Sequence, residues 1–212
     1  MPYLKSLSRE VKEMWTLVLS QHHKSLTALT GLDKDLAREI ILIEERVNSC
    51  EHFITGDCEH YLSLHGPESL NIPYIMFILK TSRQLEIIGD LAKKMANEVL
   101  RTEAARPYEL LEQINITEPF RAGNKILELL MQAFDEIDTG VAQVVLNRIK
   151  ICQEMILDSG NSLIDYLKNI PEQLNQGLNL FSVLESIKRT LEVSQNICNG
   201  IINYSCASVE LQ

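Results

Sequence analysis

The stretch LAREIILIEERVNSCEHFI, residues 36–54, has the period of an amphipathic helix. Its apolar side chains recur at steps of four and three residues, which places them along one side of a helix. They are Leu36, Ile40, Ile43, Val47, Cys50 and Ile54. An apolar seam of this kind packs against neighbouring helices, so the stretch predicts an all-α protein built from long helices that each bury one face.

The same period returns in RQLEIIGDLAKKMANEV, residues 83–99. The apolar face consists of Leu85, Ile88, Ala92, Met95, Ala96 and Val99. Glu86 and Asp90 lie on the polar side one turn apart, and two like charges at this spacing cost a helix about 0.2–0.5 kcal/mol. We therefore expect compensation either from the nearby Lys93 and Lys94 or from a bound cation.

Turn signals divide the chain into six long helices. The five turn segments are TGLD (30–33), HGP (65–67), ARPYE (105–109), DEIDTG (135–140) and NIPE (169–172). The short connections make successive helices antiparallel neighbours in a bundle. Pro73 falls early in the third helix, where a proline in the first turn is tolerated.

Two segments at equal offsets indicate a tandem repeat. ALTGLDKDLA (28–37) and AFDEIDTGVA (133–142) share their apolar, acidic and alanine positions, and each precedes a long helix. We therefore predict two three-helix repeats, residues 1–105 and 106–212.

Composition excludes several classes of protein. The chain has 212 residues and a net charge of −9, which argues against nucleic acid as the main partner. Its longest apolar run, residues 72–79, is too short to span a bilayer, and the charged N-terminal residues do not resemble a signal peptide. The five cysteines form no CxxC pair and indicate free thiols in a reducing compartment. We expect a cytoplasmic protein.

The second and third helices each have a polar, acidic stripe beside the apolar seam. The stripes consist of Glu44, Asn48, Glu51 and Thr55 on the second helix and of Glu86 and Asp90 on the third. If the two helices pack antiparallel, carboxylate and amide oxygens meet, and such ligands suit Mg²⁺, Ca²⁺, Mn²⁺ or iron. On spacing alone, the simpler interpretation is a solvated acidic flank balanced by Lys93, Lys94, Arg38 and Arg46.

Catalytic motifs are missing from the sequence. It has no P-loop, GxSxG segment or dinucleotide fingerprint. The adjacent His22 and His23 invite a phosphoryl-transfer interpretation, but no acid or base partner lies nearby in the sequence, and we expect both to be solvated. We therefore do not expect an enzyme.

Residues 32–53 and 79–96 resemble the PhoU family of phosphate-uptake regulators. Members have a D-x-x-L-A segment, then an acidic helix, then an L-E-R-I-G-D-x-A motif. The first part is matched by Asp33, Leu36, Ala37, Glu44, Val47, Asn48 and Glu51, and the motif by Leu85, Glu86, Ile88, Gly89, Asp90 and Ala92. The resemblance covers nearly the whole chain, including the duplication.

This resemblance implies two tandem three-helix bundles and a metal ion bound at Glu44, Asn48, Glu86 and Asp90, with Fe, Zn, Mn or Mg as the candidates. It also implies a non-enzymatic regulator of phosphate uptake and phosphate-starvation signalling. The implied partners are the ATPase of a phosphate ABC transporter, a phosphate-sensing histidine kinase and a second copy of the chain. Contact with the membrane would come only through those partners.

The chain departs from the family pattern at several positions. Asn71, Ile72 and Pro73 replace the family's D-L-R, Ile87 replaces the motif arginine, and Ile149, Gln153 and Ile156 stand in the second half where Glu44, Asn48 and Glu51 stand in the first. Residues 185–204 align with the motif helix in two registers, of which we prefer the one that places Lys188 and Glu192 at the paired acidic positions. Either register loses a carboxylate.

We therefore predict one metal site in the first half and a vestigial second site in which Lys188 and Glu192 pair at i,i+4. The degenerate second half leaves a rival hypothesis open. The chain would then be a diverged, metal-free helical adaptor of another transporter or signalling system.

Overall fold

The computed structural model describes residues 2–66, 69–102 and 108–210, and these ranges contain helices and no strand. The helices are α1 (Pro2–Gly31), α2 (Lys34–His65), α3 (Ile72–Arg101), α4 (Tyr108–Gln113), α5 (Thr117–Glu136), α6 (Thr139–Asn169) and α7 (Leu174–Glu210). A 3₁₀ turn, Pro171–Gln173, precedes α7. The all-α bundle of long helices is confirmed, and the short α4 is an addition to it.

The turns before α2 and α6 have the same local structure. Leu32 and Ile137 adopt left-handed φ values of 49° and 50°. The next residue, Asp33 or Asp138, caps the following helix by accepting a hydrogen bond from its backbone N–H groups. The backbone N–H of each aspartate donates to the carbonyl oxygen five residues earlier, at 3.1 and 2.9 Å. The two similar sequence segments therefore fold alike.

Part of the predicted organisation falls outside the described residues. Residue 67 of the predicted turn at 65–67 and most of the predicted turn at 105–109 lie there, as does the predicted boundary between residues 105 and 106. The division into two three-helix repeats therefore stays a prediction.

The predicted apolar faces form the core. Ile40, Ile43, Val47 and Ile54 of the α2 seam are buried, Leu36 and Cys50 are partly buried against them, and all six residues of the α3 face are buried. Helices α1, α2 and α3 pack on one another, as do α5, α6 and α7. The two sets meet where α3 packs against α7 and α1 against α5.

Aromatic rings contribute to the contact between the two sets of helices. The rings of Trp15 on α1 and Phe134 on α5 lie 5.5 Å apart between centroids, and those of Phe77 on α3 and Phe134 lie 5.4 Å apart. Trp15 has no exposed surface. The first and second halves therefore share buried side chains.

No helix in the described ranges has the length and hydropathy needed to cross a membrane.

All five cysteines are free, and Cys58, Cys152 and Cys198 are buried.

Candidate functional site

The close approach of α2 and α3 depends on Gly89. A Cβ atom at this position would lie only 3.1 Å from Cγ1 of Val47, at the centre of the α2 seam. The absence of a side chain lets α3 approach α2 closely at this point. Because Asp90 follows Gly89, the close approach brings the acidic stripes of the two helices next to each other.

Glu44 lies at the centre of the acidic stripes and is only 1% exposed. Its Oε1 accepts a hydrogen bond from Nδ2 of Asn48 at 2.5 Å, and its Oε2 accepts one from Nζ of Lys93 at 2.8 Å. A buried carboxylate requires such partners, because an unpaired charge inside a protein is strongly destabilising. Lys93 thus stabilises a carboxylate on the neighbouring helix.

The pKa values of Glu86 and Asp90 are both raised. Burial raises the pKa of Glu86; Arg83 opposes this effect, and the carboxylates of Asp90, Glu51 and Glu44 add to it. Nη1 of Arg83 lies 3.6 Å from Oε2 of Glu86. Burial also raises the pKa of Asp90, and the contact with Glu44 raises it further. Repulsion between these carboxylates favours the uptake of a proton or another cation.

The charges of Glu44, Glu86 and Asp90 therefore influence one another across α2 and α3, while the Asn48 amide is engaged with Glu44. The metal set implied by the resemblance omitted Glu51, which is 8% exposed and contributes to the raised pKa of Glu86. Its position on the α2 stripe was the signal that could have included it. We use the term acidic cluster for Glu44, Glu51, Glu86 and Asp90.

Lys93 and Lys94 were both expected to compensate the negative charge of the acidic stripes, but only Lys93 does so. Lys93 contacts Glu44, whereas Lys94 is exposed and forms no ion pair with any residue that the structure describes. Of the two arginines that were also predicted as partners, Arg38 pairs with Asp35, and Arg46 forms no ion pair with a residue in the described ranges. The acidic flank is therefore partly buried rather than fully solvated.

The acidic cluster has the chemistry of a metal site without a ready set of ligands. Across residues 2–66, 69–102 and 108–210, no three or more His, Cys, Asp or Glu side chains are grouped as a metal site would require. Carboxylate oxygens are suitable ligands for hard cations. Both oxygens of Glu44 already accept one hydrogen bond, so a metal ion at Oε2 would either share that atom with Lys93 or displace it.

The expectation that His22 is solvated is wrong. His22 is 3% exposed and lies within hydrogen-bond distance of the Ile88 carbonyl oxygen, with 3.1 Å between that oxygen and Nε2. Nδ2 of Asn124 on α5 donates to the His22 carbonyl oxygen at 3.4 Å. Burial lowers the pKa of His22 to about 4. This side chain is therefore neutral and enclosed at neutral pH, because both α3 and α5 pack against α1 and contact His22.

Comparison with known proteins places these features in a family. The protein-family model of the PhoU domain matches residues 11–99 of the sequence, and this segment contains the whole acidic cluster. The phosphate-specific transport system accessory protein PhoU of Escherichia coli (strain K12) is 26% identical over 201 residues, covering 95% of this chain and 83% of that protein. A PhoU homologue from a Burkholderia species is 25% identical over 200 residues, covering 94% and 85%.

Residues 11–99 of the chain are a PhoU domain, and the chain resembles PhoU proteins over most of its length.

Solved PhoU structures have the same fold as this chain. The crystal structure of PhoU from Pseudomonas aeruginosa superposes with a TM-score of 0.88 at 23% identity, covering 97% of this chain and 98% of that chain. The phosphate transport system regulatory protein PhoU from Streptococcus pneumoniae gives a TM-score of 0.84 at 22% identity, covering 95% and 94%.

The second half of the chain has buried isoleucines at the positions that correspond to Glu44 and Glu51. Ile149 and Ile156, which are offset by 105 residues from Glu44 and Glu51, are 1% and 6% exposed. Isoleucine offers no metal ligand. These positions on α6 therefore serve the core of the second half.

The predicted ion pair between Lys188 and Glu192 is not formed. Nη1 of Arg189 lies 2.7 Å from Oε2 of Glu192, and Nζ of Lys188 lies 3.7 Å from Oε1 of Glu185. Lys188 and Glu192 each pair with an oppositely charged residue three positions away on the same face of α7.

Proposed function

We propose that this protein regulates phosphate uptake and phosphate-starvation signalling by contacts with a phosphate transport system, in the cytoplasm and without catalysis. The observation that carries the proposal is the match to phosphate-specific transport system accessory proteins over 94–95% of the chain. The proposed partners are the ATPase of a phosphate ABC transporter, a phosphate-sensing histidine kinase and a second copy of the chain. Long helices provide rigid faces on which such partners dock.

The finer part of the proposal is a metal ion held by Glu44, Asn48, Glu86 and Asp90. It is supported by the raised pKa values of Glu86 and Asp90, which reflect burial and mutual repulsion. A bound cation would neutralise the acidic cluster and fix α3 to α2 in place of the Lys93 contact. Oxygen ligands favour Mg²⁺, Mn²⁺ or iron over zinc, although Zn²⁺ also accepts carboxylates.

A metal-free helical adaptor is the second candidate. The contact between Lys93 and Glu44 favours it, because this internal cation already satisfies the most buried carboxylate. Buried Ile149 and Ile156 in the second half favour it too, since no ligand remains there. In this case the bundle docks partners of another system and the acidic cluster has only a structural role.

Deletion of the gene tests the regulatory proposal. Phosphate uptake and a phosphate-starvation reporter are measured in the deletion strain, with wild-type complementation as the reference. We expect both readouts to change on deletion and to be restored by the wild-type gene. No change in either readout would favour the adaptor. Complementation with Glu86→Gln/Asp90→Asn then asks whether regulation depends on the acidic cluster.

A further inference from the structure

A groove of about 380 Å³ runs between the N-terminal half of α3 and the C-terminal half of α7. Its lining extends from Pro73 to Gln84 on α3 and from Asn196 to Ala207 on α7, at steps of one and three residues. Each span covers eleven residue steps, or about 16 Å of helix at 1.5 Å per residue. The two rows of lining residues run side by side and are long enough to contact roughly three turns of a further helix.

The floor of the groove is apolar. Phe77 and Ile197 are 5% and 2% exposed, and the rings of Phe77 and Tyr204 stack with centroids 5.0 Å apart. Gly200 faces Phe77, and a Cβ atom there would lie 3.7 Å from that ring, so the missing side chain keeps the groove open. Met76, 36% exposed on the rim, can adapt its flexible side chain to an incoming apolar group.

Lys80 is the one charged residue among those that line the groove. It is exposed and forms no ion pair within the part of the chain that the structure describes. The polar rim consists otherwise of uncharged groups, including Gln84 and Asn196, whose Nδ2 donates to Oε1 of Gln84 at 3.1 Å. On a chain with a net charge of −9, this groove therefore complements an acidic group.

We propose that the groove docks an amphipathic helix of a partner protein, with apolar anchors on the floor and an Asp or Glu side chain that reaches Lys80. Apolar residues at i, i+3 or i+4, and i+7 of such a helix match the length of the stripe. The occupant is a helix rather than a compact ligand because both linings continue over three turns. The site is separate from the acidic cluster, and the proposal holds whether or not a metal binds there.

Fluorescence anisotropy of labelled peptides on the full chain tests this proposal. Three peptides of about sixteen residues share one stripe of leucines at i, i+3, i+7 and i+10 and carry Glu, Gln or Lys at the flanking positions. We expect the Glu peptide to bind about threefold more tightly than the Gln peptide, and the Lys peptide to bind most weakly. Non-specific attraction to an acidic chain predicts the opposite order.

Three variants locate the binding. Lys80→Glu should reverse the order of the Glu and Lys peptides, whereas Lys150→Glu, an exposed lysine on α6 outside the groove, should preserve it. Gly200→Leu should fill the groove and weaken all three peptides at least about tenfold, with circular dichroism as the check that the variant is folded.

Four results would overturn the proposal. They are no binding of any peptide, no preference for Glu, an order unaffected by Lys80→Glu, and concentration-dependent self-association that Gly200→Leu abolishes. The last would show that a second copy of the chain occupies the groove.

Discussion

Nζ of Lys93 on α3 donates a hydrogen bond to Oε2 of Glu44 on α2, at 2.8 Å. The Glu44 side chain is 2% exposed and that of Lys93 is 37% exposed, so the pair joins a buried carboxylate to a lysine at the surface. Burial of Glu44 excludes water as a substitute partner, and the hydrogen bond raises the pKa of Lys93. A metal ion at the acidic cluster, as proposed above, would compete with Lys93 for this carboxylate.

Replacing Lys93 should show separately how much Lys93 stabilises the buried Glu44 and how much it opposes metal binding. Lys93→Met leaves Glu44 without its cation, and we expect the metal-free protein to lose about 1–3 kcal/mol of unfolding free energy. The same change should strengthen metal binding, because the ion no longer displaces a lysine. Urea unfolding with and without Mn²⁺ measures both effects.

Lys94→Met is the matched control, since Lys94 is exposed and its substitution should change stability by less than about 0.5 kcal/mol. If Lys93→Met and Lys94→Met behave alike in both measurements, the contact between Lys93 and Glu44 has no energetic role.

His22 should make the protein less stable in acid. Its pKa is lowered to about 4 in the native state by burial, from an ordinary value of 6.5. Between these values the unfolded chain takes up a proton that the native state does not, so stability is lost as the pH falls from 6.5 to 4. The loss approaches about 3 kcal/mol, at about 1.4 kcal/mol per pH unit.

His22→Gln retains a donor for the Ile88 carbonyl oxygen and does not titrate. We expect the difference in unfolding free energy between the wild type and this variant to change across pH 6.5 to 4. His60→Gln, at an exposed histidine of α2, is the control and should show a much flatter difference. Parallel pH profiles for the wild type and His22→Gln would contradict the enclosed, neutral histidine.

Gly89 should be intolerant of a side chain. A Cβ atom there would lie 3.1 Å from both Cγ1 of Val47 and Oε1 of Gln21, and both residues are fully buried. Because these neighbours have little room to move, we expect Gly89→Ala to lose about 1–3 kcal/mol despite alanine's higher helix propensity. Thermal and urea unfolding measure the change.

Gly160 provides the comparison, because a Cβ atom there meets only Phe181, at 4.0 Å. Gly160→Ala should stabilise α6 by about 0.5–1 kcal/mol. A gain of similar size for Gly89→Ala would show that α2 and α3 are not as close as the structure places them.

Periodicity predicted the faces of the helices well. The seams of α2 and α3 are buried because the spacing of apolar residues fixes which side of a helix avoids water. The paired turns at Asp33 and Asp138 could also be predicted, since a capping aspartate acts on the next few backbone N–H groups. These features depend on residues close together in the sequence.

Contacts between distant helices were harder to predict. The side chain of His22 is buried and contacts α3, and the backbone of His22 contacts α5; no property of the sequence around His22 indicates this burial. Lys93 was expected to balance the acidic flank; it opposes the raised pKa of Asp90 on its own helix, but the sequence did not indicate that its Nζ donates a hydrogen bond to Glu44 on α2. The direction in which a long side chain extends depends on the neighbouring helix, which periodicity along one helix does not specify.

Calorimetric titration with Mn²⁺, after removal of bound metal by a chelator, is the most direct test of a cation shared between α2 and α3. The wild type is compared with Glu86→Gln/Asp90→Asn and with Glu185→Gln/Glu192→Gln, which removes two ion-paired carboxylates of α7. We predict that the wild type and the α7 variant bind alike and that Glu86→Gln/Asp90→Asn binds at least about tenfold more weakly. Equal binding by all three proteins, or no binding by the wild type, would contradict the shared cation and leave Lys93 as the permanent partner of Glu44.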